Sequence, residues 1–359
     1  MSLIIFFFVL GLLIIVHEFG HFIAARRMGV KIEKFSLGFG PQIFSKRRKG
    51  IEYTLSAIPL GGYVKLAGDN LEEYKGEPFE YLAKPISKRF WIIFYGPFLN
   101  YILGFLCLWF IFFIGYPTLT TKVGGLINGF GAKDAGMQVG DKITAIDGKK
   151  VDFWEDLHKA MRQRKNKDSL KVSILRGEEV KVLEVSIKEK KMDDQLGQKR
   201  SVGLLGITPY DEIVKVRHGF FASFALGLRK TWGVTETTYK ALWRMITGKL
   251  SVRESVTGPL GIFLITSKAA SLGVIALIHL IAILSISLGI FNLLPLPVLD
   301  GGHILLLGIE KIRGRYLSLK AERLITQIGV TLIITLAVLV TYNDLNRLWG
   351  DKIAKFFAK

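Results

Sequence analysis

Four long stretches of the chain are dominated by apolar residues, about Leu3 to Ala25, Phe90 to Tyr116, Gly273 to Leu294 and Leu324 to Tyr342. Each has the length, about 20 residues, that a helix needs to cross a bilayer. Between them the period of the pattern changes. Val30/Ile32, Phe35/Leu37/Phe39 and Tyr53/Leu55/Ala57 alternate with polar or small residues, which predicts a half-buried hairpin or small sheet turning at Lys46 to Gly50. Gly38-Phe39-Gly40-Pro41 and Pro59-Leu60-Gly61-Gly62-Tyr63 are apolar and irregular, which suits backbone re-entering the membrane under cover of protein or a wet cavity. A hairpin lying on the headgroups is the alternative.

From about Thr120 to Pro209 the chain is soluble in character. A turn leads into the strand Thr144-Ala145-Ile146 and the tight turn Asp147-Gly148; Phe153 to Met161 reads as a helix, and Leu170 to Leu175 and Val180 to Ile187 as strands joined through Arg176 to Glu179. Phe220, Phe221, Phe224, Leu228 and Trp232 then fall at helical spacing among Arg229, Lys230 and Lys240, predicting an amphipathic helix on the outer membrane surface, with an ordinary packing helix as the alternative. Gly258-Pro259-Leu260-Gly261 breaks the chain before the third span. The predicted fold class is thus an α-helical polytopic membrane protein with four transmembrane helices, a membrane-associated re-entrant β-hairpin or sheet and an extracytoplasmic α+β domain. Its segments are 1–26 (first span), 27–89 (β region), 90–117 (second span), 118–212 (α+β domain), 213–272 (amphipathic helices), 273–302 (third span), 303–323 (loop) and 324–359 (fourth span and tail).

Composition agrees, since half of the 359 residues are hydrophobic and mean hydropathy is positive. The formal charge of +19 raises nucleic acid as a partner, but the cations sit in loops beside apolar spans without an aromatic-basic platform. Their placement sets orientation instead. No cation precedes the first span, whereas Arg26-Arg27 follow it, the reverse of a signal peptide. The positive-inside rule puts Arg26-Arg27, Lys46-Arg47-Arg48-Lys49 and Lys88-Arg89 inside, the N-terminus and central domain outside, and the loop with Lys311, Arg313, Arg315, Lys320 and Arg323 inside. The single cysteine, Cys107, permits no intramolecular disulfide.

The chemistry lies in His17-Glu18-Phe19-Gly20-His21, inside the first span. Ionisable groups at membrane depth are costly and call for a function. At i and i+4 both imidazoles reach one metal from a single helix face, with Glu18 beside a water that the metal activates. The third span ends in Asn292-Leu293-Leu294-Pro295-Leu296-Pro297-Val298-Leu299-Asp300-Gly301-Gly302-His303. The two prolines cannot continue a helix, the two glycines allow close backbone approach, and Asp300 needs a partner or a cation. Both spans run inward, so the motifs can share a level near the inner face. Two imidazoles and one carboxylate with an open fourth position form a catalytic zinc set. His303 and His279 are rival ligands, better suited to a pore mouth and to an intramembrane hydrogen bond.

Together HEFGH, the central insert with AGMQVGDKITAIDG, and NLLPLPVLDGGH resemble the bacterial site-2 proteases of the RseP type, with further matches in VKIEKFSLGFGP, IPLGGYVK and GPFLN. The insert resembles a circularly permuted PDZ domain. Enterobacterial members carry two in tandem, whereas this chain has room for one. The resemblance implies an intramembrane zinc metalloendopeptidase of the bacterial inner membrane, with one Zn2+ per chain held by His17, His21 and Asp300 and Glu18 as catalytic base. Its partners would be single-pass membrane proteins, such as anti-sigma factors or remnant signal peptides, already cut by another protease. Substrate is expected to unwind and pair with the edge of the strand carrying Phe35, Leu37, Gly38, Phe39 and Gly40, near Pro295 and Pro297 and hydrogen-bonded by Asn292, which could instead cap its helix. Within the PDZ-like domain, Leu204, Gly206 and Ile207 are the expected peptide-binding loop, or else a structural strand. A membrane scaffold and a zinc transporter remain alternatives; the first leaves Glu18 without a role and the second lacks a repeated ligand set.

Overall fold

The computed structural model describes residues 1–162, 169–193, 199–251 and 255–357, in two compact units. The first unit joins Met1–Ile111 to Phe221–Lys359 and the second is Phe112–Phe220. Among the described residues four helices are long and apolar enough to cross a membrane: Ser2–Arg27, Ile86–Ile114, Val274–Asn292 and Leu319–Asn346. They correspond to the four predicted apolar stretches.

Helix α1 (Ser2–Arg27) has 26 residues, about 39 Å at the helical rise. Hydrogen bonding inside the helix satisfies its backbone, which a spanning segment in lipid requires. Val9 and Leu13 pack with Ile281 of α7 (Val274–Asn292), and Leu103 and Cys107 of α2 (Ile86–Ile114) lean on that cluster. Lipid is as apolar as leucine, so close packing and polar contacts must hold these helices together. Ser285 of α7 accordingly donates to the Asn100 carbonyl of α2 at 2.7 Å.

Between α1 and α2 run β1 (Ile32–Arg48) and β2 (Ile51–Leu66), a hairpin folded back on itself. Lys46, Arg47 and Arg48 pair with Tyr53, Glu52 and Ile51 beside the turn. Phe35, Ser36 and Leu37 pair on one side with Tyr53, Thr54 and Leu55 and on the other with Val64, Tyr63 and Gly62. The predicted sheet is present, but the Phe35 segment lies in its middle and offers no free edge. The glycine-rich stretches also join the strands, with breaks in register around Leu37 to Phe44. Buried Val30, Ile32 and Leu66 fasten the sheet to Phe22, Ala24 and Ala25 of α1 and to Ile92 of α2.

Helix α5 (Phe220–Ile246) departs from the expected surface helix. Its buried residues, Ser223, Gly227 and Thr231, recur every fourth position, and Gly227 lies against the backbone of Trp109. Tyr101 and Thr235 share a hydrogen bond of 2.7 Å. A stripe of small residues lets α5 run alongside α2, leaving Phe221 and Trp232 exposed. Beyond it come α6 (Pro259–Ser271), α7, α8 (Asp300–Arg313) and α9 (Leu319–Phe357). Asp344 of α9 accepts from the backbone N–H groups of Gly258 and Gly261 at 3.2 and 2.9 Å, supplying the N-terminus of α6 with acceptors.

In the second unit, β5 (Lys142–Ile146) pairs with β6 (Lys149–Lys150) and β7 (Ser169–Arg176), and β7 with β8 (Glu179–Ser186). Asp147 and Gly148 turn β5 into β6 with φ of 44° and 76°, the left-handed pair that a two-residue hairpin needs. Ile143, Ile146, Leu170, Val172, Ile174 and Val185 form the core with Ala132 of the single turn α3 (Gly131–Asp134) and Leu157 and Met161 of α4 (Trp154–Arg162). Two-stranded pairs complete it: β3 (Tyr116–Leu119) with β12 (Ile213–Val216), β4 (Val123–Leu126) with β11 (Ile207–Pro209), and β9 (Lys188–Asp193) with β10 (Lys199–Leu204). Leu204 ends β10 and Ile207 begins β11. Gly206 turns between them at φ 82°, its carbonyl accepting from Ile127 at 2.7 Å.

Candidate metal centre

His17 lies about 22 Å along α1 from its start, in the second half of the helix. One turn later His21 faces the same way. Their Nε2 atoms are 3.3 Å apart. Asp300 Oδ2 is 3.1 Å from His17 Nε2, and Oδ1 is 3.5 Å from His21 Nε2. Side chains 279 to 283 positions apart in sequence meet here.

Asp300 is delivered by an irregular segment. After α7 ends at Asn292, Leu293–Leu299 form tight turns in which Leu296 donates to the Leu294 carbonyl at 2.7 Å and Leu299 to that of Leu296 at 3.2 Å. Pro295 and Pro297 prevent helix there. Val298 takes φ of 76°, a strained conformation for a β-branched residue that costs about 1–3 kcal/mol and persists only where its surroundings impose it. Asp300 is the first residue of α8, and Gly301 and Gly302 press against the carbonyls of Leu293 and Leu296.

The second helix orients the imidazoles. His21 Nδ1 is 2.9 Å from the Ile92 carbonyl; as donor to it, Nδ1 carries the proton and Nε2 keeps its lone pair. A methyl group on Gly96 would stand 2.3 Å from His21 Nε2, so only glycine admits the ring at that position. Asn100, fully buried, has Nδ2 3.3 Å from His17 Nδ1 while its Oδ1 has no hydrogen-bond partner among the described residues. The two ends of an amide have nearly the same shape. Turned by half, Asn100 accepts from His17 Nδ1–H, satisfying the orphaned oxygen and leaving His17 Nε2 its lone pair too.

Two lone-pair nitrogens and a carboxylate facing one another within 3.5 Å repel unless a cation lies among them. Ligands about 2.0–2.1 Å from a tetrahedral zinc are roughly 3.3 Å from one another, the edge that this triangle has. The donors fit Zn2+ with one position left open. Among the described residues these are the only three that converge in this way, so His303 and His279 do not join them. Glu18 neighbours the sheet: a methyl group on Gly62 would stand 3.1 Å from Glu18 Cγ.

Of the expected substrate residues, Asn292 ends α7, and Pro295 and Pro297 lie in the segment before Asp300. Phe35 is packed edge-on against Phe22 and belongs to the α1–sheet core, and Phe39 is exposed, stacked on Tyr63. Sequence reasoning gave no role to Gly96, Asn100 or Gly62. The stretches GPFLN and IPLGGYVK held them, but an isolated glycine or asparagine does not disclose which helix it meets.

The model of peptidase family M50 matches residues 5–336. A protein of Agrobacterium fabrum named as a zinc metalloprotease is 35% identical over 363 residues, 96% of each chain. The regulator of sigma-W protease RasP of Bacillus subtilis is 27% identical, covering 97% of this chain and 99% of its own. RasP of Bacillus licheniformis, named a zinc metalloprotease, is 28% identical with the same coverage. Among solved structures, the PDZ domain of an SdrC-like protein from Listeria monocytogenes aligns with 26% of this chain and 87% of its own at 21% identity and a TM-score of 0.20, a likeness too slight to bear on the fold.

Proposed function

This chain belongs to peptidase family M50 and is a multi-pass membrane zinc metalloprotease of the site-2 type, and from that premise we propose which residues carry the reaction. His17, His21 and Asp300 hold one Zn2+ per chain. The observation that carries this is their convergence at 3.1–3.5 Å beside Glu18. Zinc, when bound, supplies Lewis acidity that acidifies water and polarises a carbonyl. Glu18 takes the proton of the attacking water and returns it to the departing amine. Ile92 and Asn100 hold the two imidazoles in the ligand tautomer, and Gly96 leaves the space that His21 fills. A scaffold would leave Glu18 without a role, and a transporter would call for a second ligand set, whereas one such set is present among the described residues.

A helical substrate hides its carbonyls in hydrogen bonds and must unwind before attack. The edge that receives it is Gly62 to Lys65, which among the described residues pairs on one side only and starts beside Glu18. The central Phe35 to Leu37 segment supports that edge. Asn292 at the end of α7 and the Pro295-Pro297 segment that leads to Asp300 supply the remaining contacts to the unwound strand. The substrates are transmembrane segments of single-pass proteins, such as anti-sigma factors or remnant signal peptides, shortened beforehand by another protease. The sigma-W connection in the name of the Bacillus subtilis relative supports that class.

The basic segments after α1 and around Lys311 to Arg323 support an inner-membrane orientation with the N-terminus and the 118–212 domain outside and the sheet entering from the inner face. The strand and helix order of the domain supports a PDZ reading, with the corner Leu204, Gly206 and Ile207 as its peptide contact. Zinc analysis tests the ligand set. Wild type should hold one zinc per chain and the His17→Ala, His21→Ala and Asp300→Ala proteins less than a tenth; full occupancy in any of the three would remove that residue from the set.

A further inference from the structure

Five cations, Arg26, Lys31, Lys46, Arg48 and Lys49, line one concavity of about 690 Å³ without an acidic side chain among them. Strand alternation produces this. Phe44, Lys46 and Arg48 of β1 and Ile51 and Tyr53 of β2 face into the hollow, while the intervening Ser45, Arg47 and Glu52 point to the other face. Across the strands Lys46 stands opposite Tyr53 and Arg48 opposite Ile51, so apolar surface lies beside each charge. The facing wall comes from the end of α1 and the start of β1, with Val30 and Ile32 buried at 4% exposure.

Among the described residues none of the five cations forms an ion pair. Of the five, among the described residues, only Lys31 has an aromatic partner, the Phe79 ring at 5.4 Å. Like charges gathered in a hollow of ligand-pocket size raise a local potential that an anion relieves. Arg26 stands in the last turn of a membrane helix, which fixes the hollow at headgroup depth. A cationic rim over an apolar floor at that depth matches a phosphate joined to a glycerol backbone better than a free anion. We propose that this hollow binds the phosphate headgroup of an anionic phospholipid, tying the sheet to the lipid surface at the end of the helix that carries His17 and His21.

The full chain in neutral detergent, equilibrated with mixed micelles of phosphatidylcholine and phosphatidylglycerol and repurified, can be assayed for bound lipid by mass spectrometry. Wild type should enrich phosphatidylglycerol. The Lys46→Gln/Arg48→Gln/Lys49→Gln protein should lose that enrichment by at least about ten-fold, as expected for three cations near a lipid surface. Lys46→Arg/Lys49→Arg should retain it, and Lys311→Gln/Arg313→Gln/Arg315→Gln, with the same change of charge on another loop, should leave it unchanged. Retained enrichment in the first variant, or equal loss in the loop variant, would overturn the site in favour of none or of a diffuse field. Displacement of the lipid by inorganic phosphate would overturn the lipid as its ligand.

Discussion

Asn100 and His17 meet across the α1–α2 interface, amide against imidazole Nδ1 at 3.3 Å, and among the described residues the buried amide oxygen is without a partner unless it faces the ring. With the proposed ligand set, that bond would make Asn100 a positioning residue for His17. Asn100→Ala should weaken zinc binding by about 10–100-fold, the usual effect of removing such support. Asn100→Asp, which keeps an acceptor at the same place, should recover most of it. Chelator competition reads both, and an alanine protein binding zinc like wild type would dismiss the role.

Arg89 ties α2 to the helix of Asp300. It is 3% exposed, its Nη1 donates to Glu310 Oε2 at 3.0 Å, its Nη2 to Oε1, and its Nε to the Lys84 carbonyl at 3.1 Å. Tyr316 and Tyr81 lie under the guanidinium. Arg89→Met should cost about 3–5 kcal/mol, because Glu310 is left as an unpaired, mostly buried charge. Adding Glu310→Gln should return part of that loss. Thermal unfolding in detergent measures it; a single variant as stable as wild type would show the pair to be idle.

The free edge at Gly62 to Lys65 makes a prediction with a built-in control. Successive residues of an edge strand point their N–H groups alternately into the sheet and away from it. Of Tyr63→Pro and Val64→Pro, one should disrupt the hairpin and the other should leave it folded while lowering cleavage by more than about ten-fold through the lost pairing donor. Limited proteolysis distinguishes them. Two folded variants with full activity would put the substrate elsewhere.

Acid should loosen the 112–220 unit through Asp141. Burial opposes its charge, but Arg176, donating to both oxygens at 2.8 and 2.7 Å, and the Gln138 N–H at 2.8 Å outweigh burial and hold its pKa below the usual carboxylate value. A folded pKa below the unfolded one, near 3.9, means stability fully present above about pH 4 and lost as pH falls through the folded value. Asp141→Asn should remove that acid dependence and cost about 2 kcal/mol at neutral pH. Hydrogen exchange in β5, corrected for the intrinsic pH dependence of exchange, reports both effects; an unchanged acid response in the variant would exclude Asp141 as its source.

The parts legible in the sequence were those with a local signal. Spacing of i, i+4 put His17 and His21 on one face, Pro295 and Pro297 announced the break before Asp300, and charge beside the spans gave both motifs a common depth. Relations between elements were not legible. Alternation around Phe35 disclosed faces but not which strands pair, so a central strand was expected as an edge. Aromatic residues on α5 suggested a surface helix because their spacing is the louder signal, while the Ser223, Gly227 and Thr231 stripe that seats it against α2 is quiet. Gly96 and Asn100 act only through where two helices cross.

The central claim is that Glu18 does chemistry at a zinc site built by His17, His21 and Asp300. The most direct measurement is zinc content together with cleavage of a single-pass membrane substrate by the wild-type and Glu18→Gln proteins in detergent. The variant should keep one zinc per chain and lose cleavage by about 10²–10⁴-fold. Cleavage at the wild-type rate by the zinc-loaded variant would contradict it.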